Sequence, residues 1–217
     1  MNINIIKENF FKCLPEQKIK IVEDQLKNNN FKMTLELLLS KEGEPSNIYQ
    51  LFELKDEHSK IKFLHYNEFP DGVFIKKISE KEYKIFIIEM KRDITKYLDK
   101  IPKQLHSGIL HAISIIKMTE SRIMVENKEI VDIHDIKLTY ELFICSGKKI
   151  TYSTPKKVIP GKPVYNDNRL QLLINSNQVY HKLKGKDLVE LPVKIVVFNH
   201  NIGENGSELY TGSIDLS

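Results

Sequence analysis

The chain has 217 residues, of which 41% are hydrophobic and 29% charged, and its net charge is +4. This is an ordinary globular composition, and no run approaches the ~18 uninterrupted apolar residues of a membrane helix, so we expect one soluble domain, 1–217. Lys7 and Glu8 interrupt the apolar N-terminal stretch, which favours a cytoplasmic protein over a secreted one. Cys13 and Cys145 lack metal-ligand spacing and are expected to be packed thiols.

The first third of the chain is predicted to contain two helices followed by strands. Residues 5–14 and 17–26 have apolar side chains at spacings of three and four, which is typical of helices. Residues 31–39 alternate loosely between apolar and polar, and this pattern predicts a first strand. Residues 48–54 and 60–66 are further strand candidates.

The clearest strands lie in the middle of the chain. Residues 71–78 and 84–91 are joined by a short polar connection, which predicts a hairpin. An apolar stripe and a proline near the start indicate a helix over 99–118. Strands are predicted again at 137–145 and 193–199. This order favours an α/β domain with a mixed β-sheet flanked by helices.

Three charged side chains are predicted to meet at one end of that hairpin. Glu89 and Lys91 share a face of their strand and stand roughly 7 Å apart along it. In an antiparallel hairpin Asp71, at the start of the first strand, lies beside them. Unpaired burial of such charges costs several kcal/mol, and converging carboxylates repel unless a cation lies between them.

Carboxylate oxygens suit Mg²⁺ or Mn²⁺, so the cluster favours metal-assisted hydrolysis of a phosphodiester. In this hypothesis Asp71 and Glu89 hold the metal, while Lys91 orients the attacking water or offsets charge on phosphorus. The alternative is a surface salt bridge at the end of a hairpin, a common and energetically minor feature. A salt bridge alone does not explain why all three charges meet at the mouth of an apolar hairpin.

The pair Pro70-Asp71, followed by Glu89-Met90-Lys91, resembles the motif of the PD-(D/E)XK nuclease superfamily. The resemblance implies a restriction-endonuclease-like core and an Mg²⁺-dependent (or Mn²⁺-dependent) endonuclease. It also implies that Asp71 and Glu89 bind the metal, that Lys91 assists catalysis, and that the backbone carbonyl of Met90 reaches the metal.

Two auxiliary residues follow from the same resemblance. In some branches a glutamine on the helix after this strand assists the site, and Gln104 is the matching residue. A tyrosine follows four residues later in those branches, whereas this chain has Gly108. Many members also add an acid from an early helix, for which Glu8, Glu16 and Glu23 are candidates. Glu23 is our prediction.

The nuclease-like core is expected at about 30–145, followed by a basic substrate-binding segment at about 146–190. That segment has nine basic residues against three acidic ones, a local balance of +6, which can attract a polyanion. Within it, 154–164 is predicted to be a loop and 169–174 a short helix or strand. The predicted nucleic-acid contacts are Lys148, Lys149, Lys156, Lys157 and Arg169. The alternative is a solvated, lysine-rich surface.

Taken together, these features predict a metal-dependent nuclease that acts in restriction, phage defence or repair. DNA is favoured over RNA as the partner, no membrane is involved, and a homodimer is expected because many such nucleases pair subunits to cut both strands. The competing hypothesis is a noncatalytic module with a nuclease-like fold that binds nucleic acid or protein.

Overall fold

The computed structural model of the chain describes residues 11–52, 68–120, 136–148, 168–182 and 188–217. The elements in chain order are β1 (Phe11–Leu14), β2 (Lys18–Gln25), α1 (Leu26–Asn29), β3 (Phe31–Leu38), β4 (Ile48–Leu51), β5 (Gly72–Lys77), β6 (Glu82–Lys91), a 3₁₀ helix (Ile94–Lys96), α2 (Ile101–Glu120), β7 (Lys137–Ser146), α3 (Asn168–Ser176), β8 (Gln178–Lys182), β9 (Leu188–Pro192), β10 (Lys194–Val197), β11 (Asn199–Ile202) and β12 (Glu208–Asp215).

The strands of the described residues form three sheets. A six-stranded sheet has the order β1-β4-β5-β6-β7-β10, a four-stranded sheet has the order β11-β12-β3-β2, and β8 pairs with β9. In the six-stranded sheet β4, β5 and β6 are antiparallel neighbours, whereas β6 and β7 run parallel and are connected through α2. The predicted α/β class with a mixed sheet is therefore confirmed.

Within the described residues, helix α2 covers one face of the six-stranded sheet and the four-stranded sheet covers the other. Ile85 and Ile87 of β6 point into a core that includes Leu105 of α2. The next side chains along β6, such as Phe86, point into a second core that includes Leu35 of the four-stranded sheet. The expectation of helices flanking the sheet is correct for the α2 face. On the other face a second sheet buries the apolar side chains of β6.

The helix predicted at 17–26 is wrong, because Lys18–Gln25 forms strand β2 and pairs antiparallel with β3. The lysines of β2 are exposed, whereas Ile19 and Ile21 are half-buried. This period of two suits a strand at the edge of a sheet that is covered on one face. The helix predicted at 5–14 is also wrong where it can be compared, since Phe11–Leu14 is strand β1.

Most of the remaining predicted elements are confirmed, namely β3, β4, the hairpin of β5 and β6, helix α2 and strand β7. Residues 169–174 are helical within α3, and 193–199 contain β10 and the start of β11. The strand predicted at 60–66 and the loop predicted at 154–164 lie outside the described residues.

Helix α2 comes unusually close to β6 at Gly108. A Cβ atom at this position would lie 2.9 Å from Cγ of Pro70 and 3.0 Å from Cδ1 of Ile87. The missing side chain thus lets the helix rest on the residue that precedes Asp71. Among the helices in the described part of the chain, neither α2 nor any other is long and apolar enough to cross a membrane.

We expect Gly108→Ala to destabilise the protein by up to about 2 kcal/mol, because the added methyl group overpacks this contact at a cost of about 1–3 kcal/mol. The intrinsic preference of helices for alanine, about 1 kcal/mol, acts in the opposite direction. Urea unfolding measures the difference. Met118→Ala, at an exposed position of the same helix, serves as the control and should change stability by less than about 0.5 kcal/mol. A Gly108→Ala protein that is more stable than the wild type contradicts the packing argument.

Candidate functional site

The hairpin brings Asp71 and Glu89 together, as the sequence predicts. Gly72 is paired with Ile88, so Asp71 lies beside Glu89 where β5 begins and β6 ends. The Asp71 carboxylate accepts a hydrogen bond from the backbone N–H of Met90 at 2.6 Å. In return, the Glu89 carboxylate accepts one from the backbone N–H of Asp71 at 3.3 Å. These reciprocal bonds fix both carboxylates at one rim of the six-stranded sheet.

The Lys91 ammonium group lies among three oxygen atoms at this rim. It forms an ion pair with Oε1 of Glu89 and lies 3.6 Å from Oδ2 of Asp71. It also donates a hydrogen bond to the backbone carbonyl of Met90 at 2.9 Å. A positive charge therefore occupies the space between the same three groups that the motif resemblance assigns to metal binding.

Burial shapes the electrostatics of this cluster. The Glu89 side chain is fully buried, and this burial, followed by repulsion from Asp71, raises the pKa of Glu89 to about 8 against the opposing effect of Lys91. Burial lowers the pKa of Lys91, but the carboxylates of Glu89 and Asp71 together outweigh it, so the net direction is upward. Lys91 thus stays charged at neutral pH, while Glu89 holds a proton more readily than an ordinary glutamate.

Glu23 approaches the cluster from the other sheet, and its predicted place on a helix is wrong. It lies on β2, two residues after Ile21, whose Cδ1 atom is 2.9 Å from where a Cβ of Gly72 would be. Residues two apart share a face of a strand, so the Glu23 side chain is on the same face of β2 as Ile21 and lies at the rim. Burial and the nearby Asp71 carboxylate raise the pKa of Glu23, and Lys91 lowers it. Of the other acids weighed, Glu16 is exposed and Glu8 lies outside the described residues.

Gln104 contacts the chain that leads into the site rather than the charged cluster itself. It lies in the first turns of α2, is buried, and donates a hydrogen bond from Nε2 to the carbonyl of Phe69 at 3.2 Å. Its Oε1 atom is buried and has no hydrogen-bond partner among the described residues. Gln104 therefore helps to hold the segment that carries Asp71, and a direct catalytic role for it stays a prediction.

The described residues contain no group of three or more His, Cys, Asp or Glu side chains arranged to hold a metal ion. The oxygen atoms that do converge belong to two carboxylates and one backbone carbonyl, and they surround the Lys91 ammonium group. Hard oxygen ligands of this kind are those that Mg²⁺ and Mn²⁺ prefer. The donor set therefore fits a small divalent cation, provided that Lys91 moves aside.

A cleft of about 380 Å³ opens beside Lys91, and no pattern in the sequence predicts it. It lies between the residues that follow β6 and the facing ends of β2 and β3, and Lys96, Tyr97 and Lys148 are among the residues that line it. Lys148 is a predicted nucleic-acid contact. Of the other predicted contacts, Lys149, Lys156 and Lys157 and the side chain of Arg169 lie outside the described residues.

A second set of polar contacts connects the two sheets next to this cleft. The Arg92 guanidinium group lies 2.6 Å from a carboxylate oxygen of Glu208 on β12. The Tyr210 hydroxyl group donates a hydrogen bond to the same carboxylate. The hydrogen bond with Tyr210 is the largest cause of the raised pKa of Arg92. The charge of Arg92 is thus balanced by Glu208 of the four-stranded sheet.

Comparisons of the chain with protein-family models, with curated proteins and with solved structures found no match. The resemblance to the PD-(D/E)XK superfamily therefore depends on the motif residues and on their arrangement alone. Membership in that superfamily stays a hypothesis.

Proposed function

We propose that this protein is a metal-dependent nuclease that hydrolyses phosphodiester bonds in DNA. The observation that carries the proposal is the position of the Lys91 ammonium group among the oxygens of Asp71, Glu89 and Met90. These oxygens surround a positive charge at the rim of the sheet, beside a cleft. The motif resemblance implies such an arrangement.

In this proposal Asp71, Glu89 and the Met90 carbonyl hold Mg²⁺ or Mn²⁺, with Glu23 adjoining from β2. When bound, the metal supplies positive charge for the phosphodiester and lowers the pKa of a bound water. The reciprocal hydrogen bonds of Asp71 and Glu89 keep both carboxylates in place without further rearrangement. Lys91, released from its oxygens, can donate to the attacking water or to a phosphate oxygen.

The order of elements around the site supports a restriction-endonuclease-like core. An antiparallel hairpin carries Asp71 at the start of one strand and the Glu89-Met90-Lys91 stretch on the other, and helix α2 follows after a short 3₁₀ helix. The next strand, β7, lies parallel to β6. In the same proposal the protein is cytoplasmic, acts in restriction, phage defence or repair, and pairs as a homodimer to cut two strands.

One observation favours a second candidate, a noncatalytic module that binds nucleic acid or protein. Lys91 already fills the space between the carboxylates, and its pairing with the fully buried Glu89 closes the cluster. In that case the three charges are a structural ion-pair network, and the rim keeps its shape without a metal.

Incubation of the purified full chain with end-labelled duplex DNA, single-stranded DNA and RNA separates the two candidates. The nuclease proposal expects cleavage with Mg²⁺ or Mn²⁺ and none with EDTA. Binding without cleavage of any substrate, with either metal, favours the noncatalytic module. Cleavage that persists in EDTA contradicts the metal-dependent mechanism.

A further prediction concerns Glu23, which we expect to support the metal from the second sheet. Glu23→Gln should weaken Mn²⁺ binding about ten- to a hundredfold, the usual effect of losing a supporting group near a metal. Titration calorimetry of the full chain measures this affinity. Glu16→Gln removes an exposed acid near the start of the same strand and should leave Mn²⁺ binding unchanged. Equal affinities for the Glu23→Gln variant and the wild type contradict a role for Glu23.

A further inference from the structure

The cleft beside Lys91 has the size and position of a ligand-binding site. Its volume of about 380 Å³ falls within the usual range of small-molecule clefts, roughly 300–1,000 Å³. One wall follows directly from β6 and includes Lys96 and Tyr97. Lys148 also lines the cleft, because β7 runs parallel to β6. Lys91 is paired with Ser146, and Lys148 follows Ser146 by two residues. Any ligand in the cleft therefore lies against the proposed catalytic cluster.

The charges that line the cleft are not equally available to a ligand. Lys91 is paired with the carboxylates, and Arg92 is paired with Glu208. The Asp93 carboxylate accepts hydrogen bonds from the backbone N–H and the hydroxyl group of Thr95, at 3.2 and 2.6 Å. Two cations remain, Lys96 and Lys148, which are exposed and have no ionic partner among the described residues. The half-buried carboxyl group of Glu23 also lines the cleft, so the lining offers an anion two uncommitted positive charges against this one further acid.

An exposed aromatic ring completes the cleft. Tyr97 is 40% exposed, and the Lys91 ammonium group lies 5.7 Å from the centre of its ring. Its backbone is held by hydrogen bonds at the end of the 3₁₀ helix and the start of α2, so the ring stands on a fixed segment. Rings placed in this way provide a stacking surface for an unpaired base.

We infer that this cleft binds an unpaired nucleotide of a single-stranded nucleic acid, with Tyr97 stacked on its base and Lys96 and Lys148 on the flanking phosphates. An aromatic ring combined with lysines suits single strands, because a base inside a duplex is already stacked on its neighbours. The inference rests on the proposed function only in placing this nucleotide next to the bond that is cut. Binding itself can be measured without catalysis.

The first test is the binding of a labelled oligothymidylate, about twelve nucleotides long, to the full chain in EDTA. Tyr97→Ala should weaken its binding roughly five- to a hundredfold, which corresponds to the loss of one stacked base. Tyr97→Phe keeps the stacking surface and should bind within about twofold of the wild type. Binding of a duplex of the same length should differ less than about twofold among the three proteins.

The second test addresses the phosphates. Replacing both Lys96 and Lys148 with glutamine should make the slope of log Kd against log salt concentration shallower by about 1.4, since each single-strand phosphate contact contributes about 0.7. Lys41→Gln is the control, because this exposed lysine lies after the opposite end of β3. Its slope should equal that of the wild type.

Unchanged single-strand binding by Tyr97→Ala, or an unchanged salt slope in the double lysine variant, overturns the inference. Equal binding of oligouridylate supports it, because stacking on tyrosine does not require DNA. If Tyr97 governs binding but no substrate is cleaved with Mg²⁺ or Mn²⁺, the inference stands and the proposed function fails. If the wild type cleaves DNA while Tyr97→Ala binds and cleaves equally well, the inference fails and the proposed function stands.

Discussion

Asp71→Asn should lower the rate of Mg²⁺-dependent DNA cleavage by at least about 10³-fold, since a metal-bound charge is worth several kcal/mol to the transition state. The amide oxygen of asparagine can still accept the hydrogen bond from the Met90 N–H group, so the hairpin keeps its local structure. The variant removes the negative charge and little else. Single-turnover cleavage rates measure the effect, and circular dichroism with urea unfolding checks that the fold is intact.

Asp215→Asn is the matched control for this loss of charge. Asp215 is the last residue of β12, far from the rim, and accepts a hydrogen bond from the backbone of Ser217 that an amide oxygen can also accept. Its cleavage rate should stay within about threefold of the wild type, a difference below 1 kcal/mol. Cleavage by the Asp71→Asn variant at the wild-type rate contradicts a role for Asp71 in metal binding.

The second large expected effect concerns Glu89→Gln. We expect this substitution to reduce the dependence of the free energy of unfolding on pH. The pKa of Glu89 is about 8 in the folded chain, compared with 4.5 for an ordinary glutamate. Between these values the folded protein holds a proton that the unfolded chain has released. The free energy of unfolding of the wild type therefore falls as pH rises through this window, by up to about 1.4 kcal/mol per pH unit.

Glutamine at position 89 does not titrate, so the variant lacks this fall in the free energy of unfolding as the pH rises. In EDTA, the stability of Glu89→Gln relative to the wild type should increase by about 3 kcal/mol between pH 5 and pH 8. Urea unfolding at several pH values measures it. Glu36→Gln changes a glutamate on β3 that is 40% exposed, and its curve should run parallel to that of the wild type. Parallel curves for Glu89→Gln and the wild type contradict the raised pKa.

A buried carboxylate with such a pKa is difficult to explain by stability alone. Glu89 is fully buried beside a second carboxylate, and its raised pKa means that the fold loses stability as the pH rises above about 5. Strongly perturbed carboxylates are typical of functional sites, where stability is sacrificed for chemistry. This cost favours the nuclease proposal over a purely structural ion-pair network.

The charged cluster could be predicted from the sequence because it depends on one hairpin. Asp71 and Glu89 are eighteen positions apart, and the two apolar runs with a polar connection between them predict the pairing. Helix α2 could also be predicted from the sequence, because its apolar stripe repeats at helical spacing over several turns. Local patterns carry both features, so no knowledge of distant contacts was needed.

The second sheet and the cleft could not be predicted in the same way. Strand β3 lies between β2 and β12, and its parallel pairing with β12 joins Phe31 to Glu208 across most of the chain. No local pattern contains that pairing. The prediction that Glu23 lies on a helix is therefore wrong, although the structure does place Glu23 near Asp71. Lys148 reaches the cleft only through the parallel pairing of β6 and β7.

The most direct test of the metal site is a crystal structure of the full chain soaked with Mn²⁺, with anomalous scattering used to locate the metal. We predict a manganese peak between the carboxylates of Asp71 and Glu89 and close to the Met90 carbonyl, with the Lys91 ammonium group moved away from all three. If Lys91 keeps its place among these oxygens and no anomalous peak is found at the rim, the site does not bind a metal and the nuclease proposal is wrong.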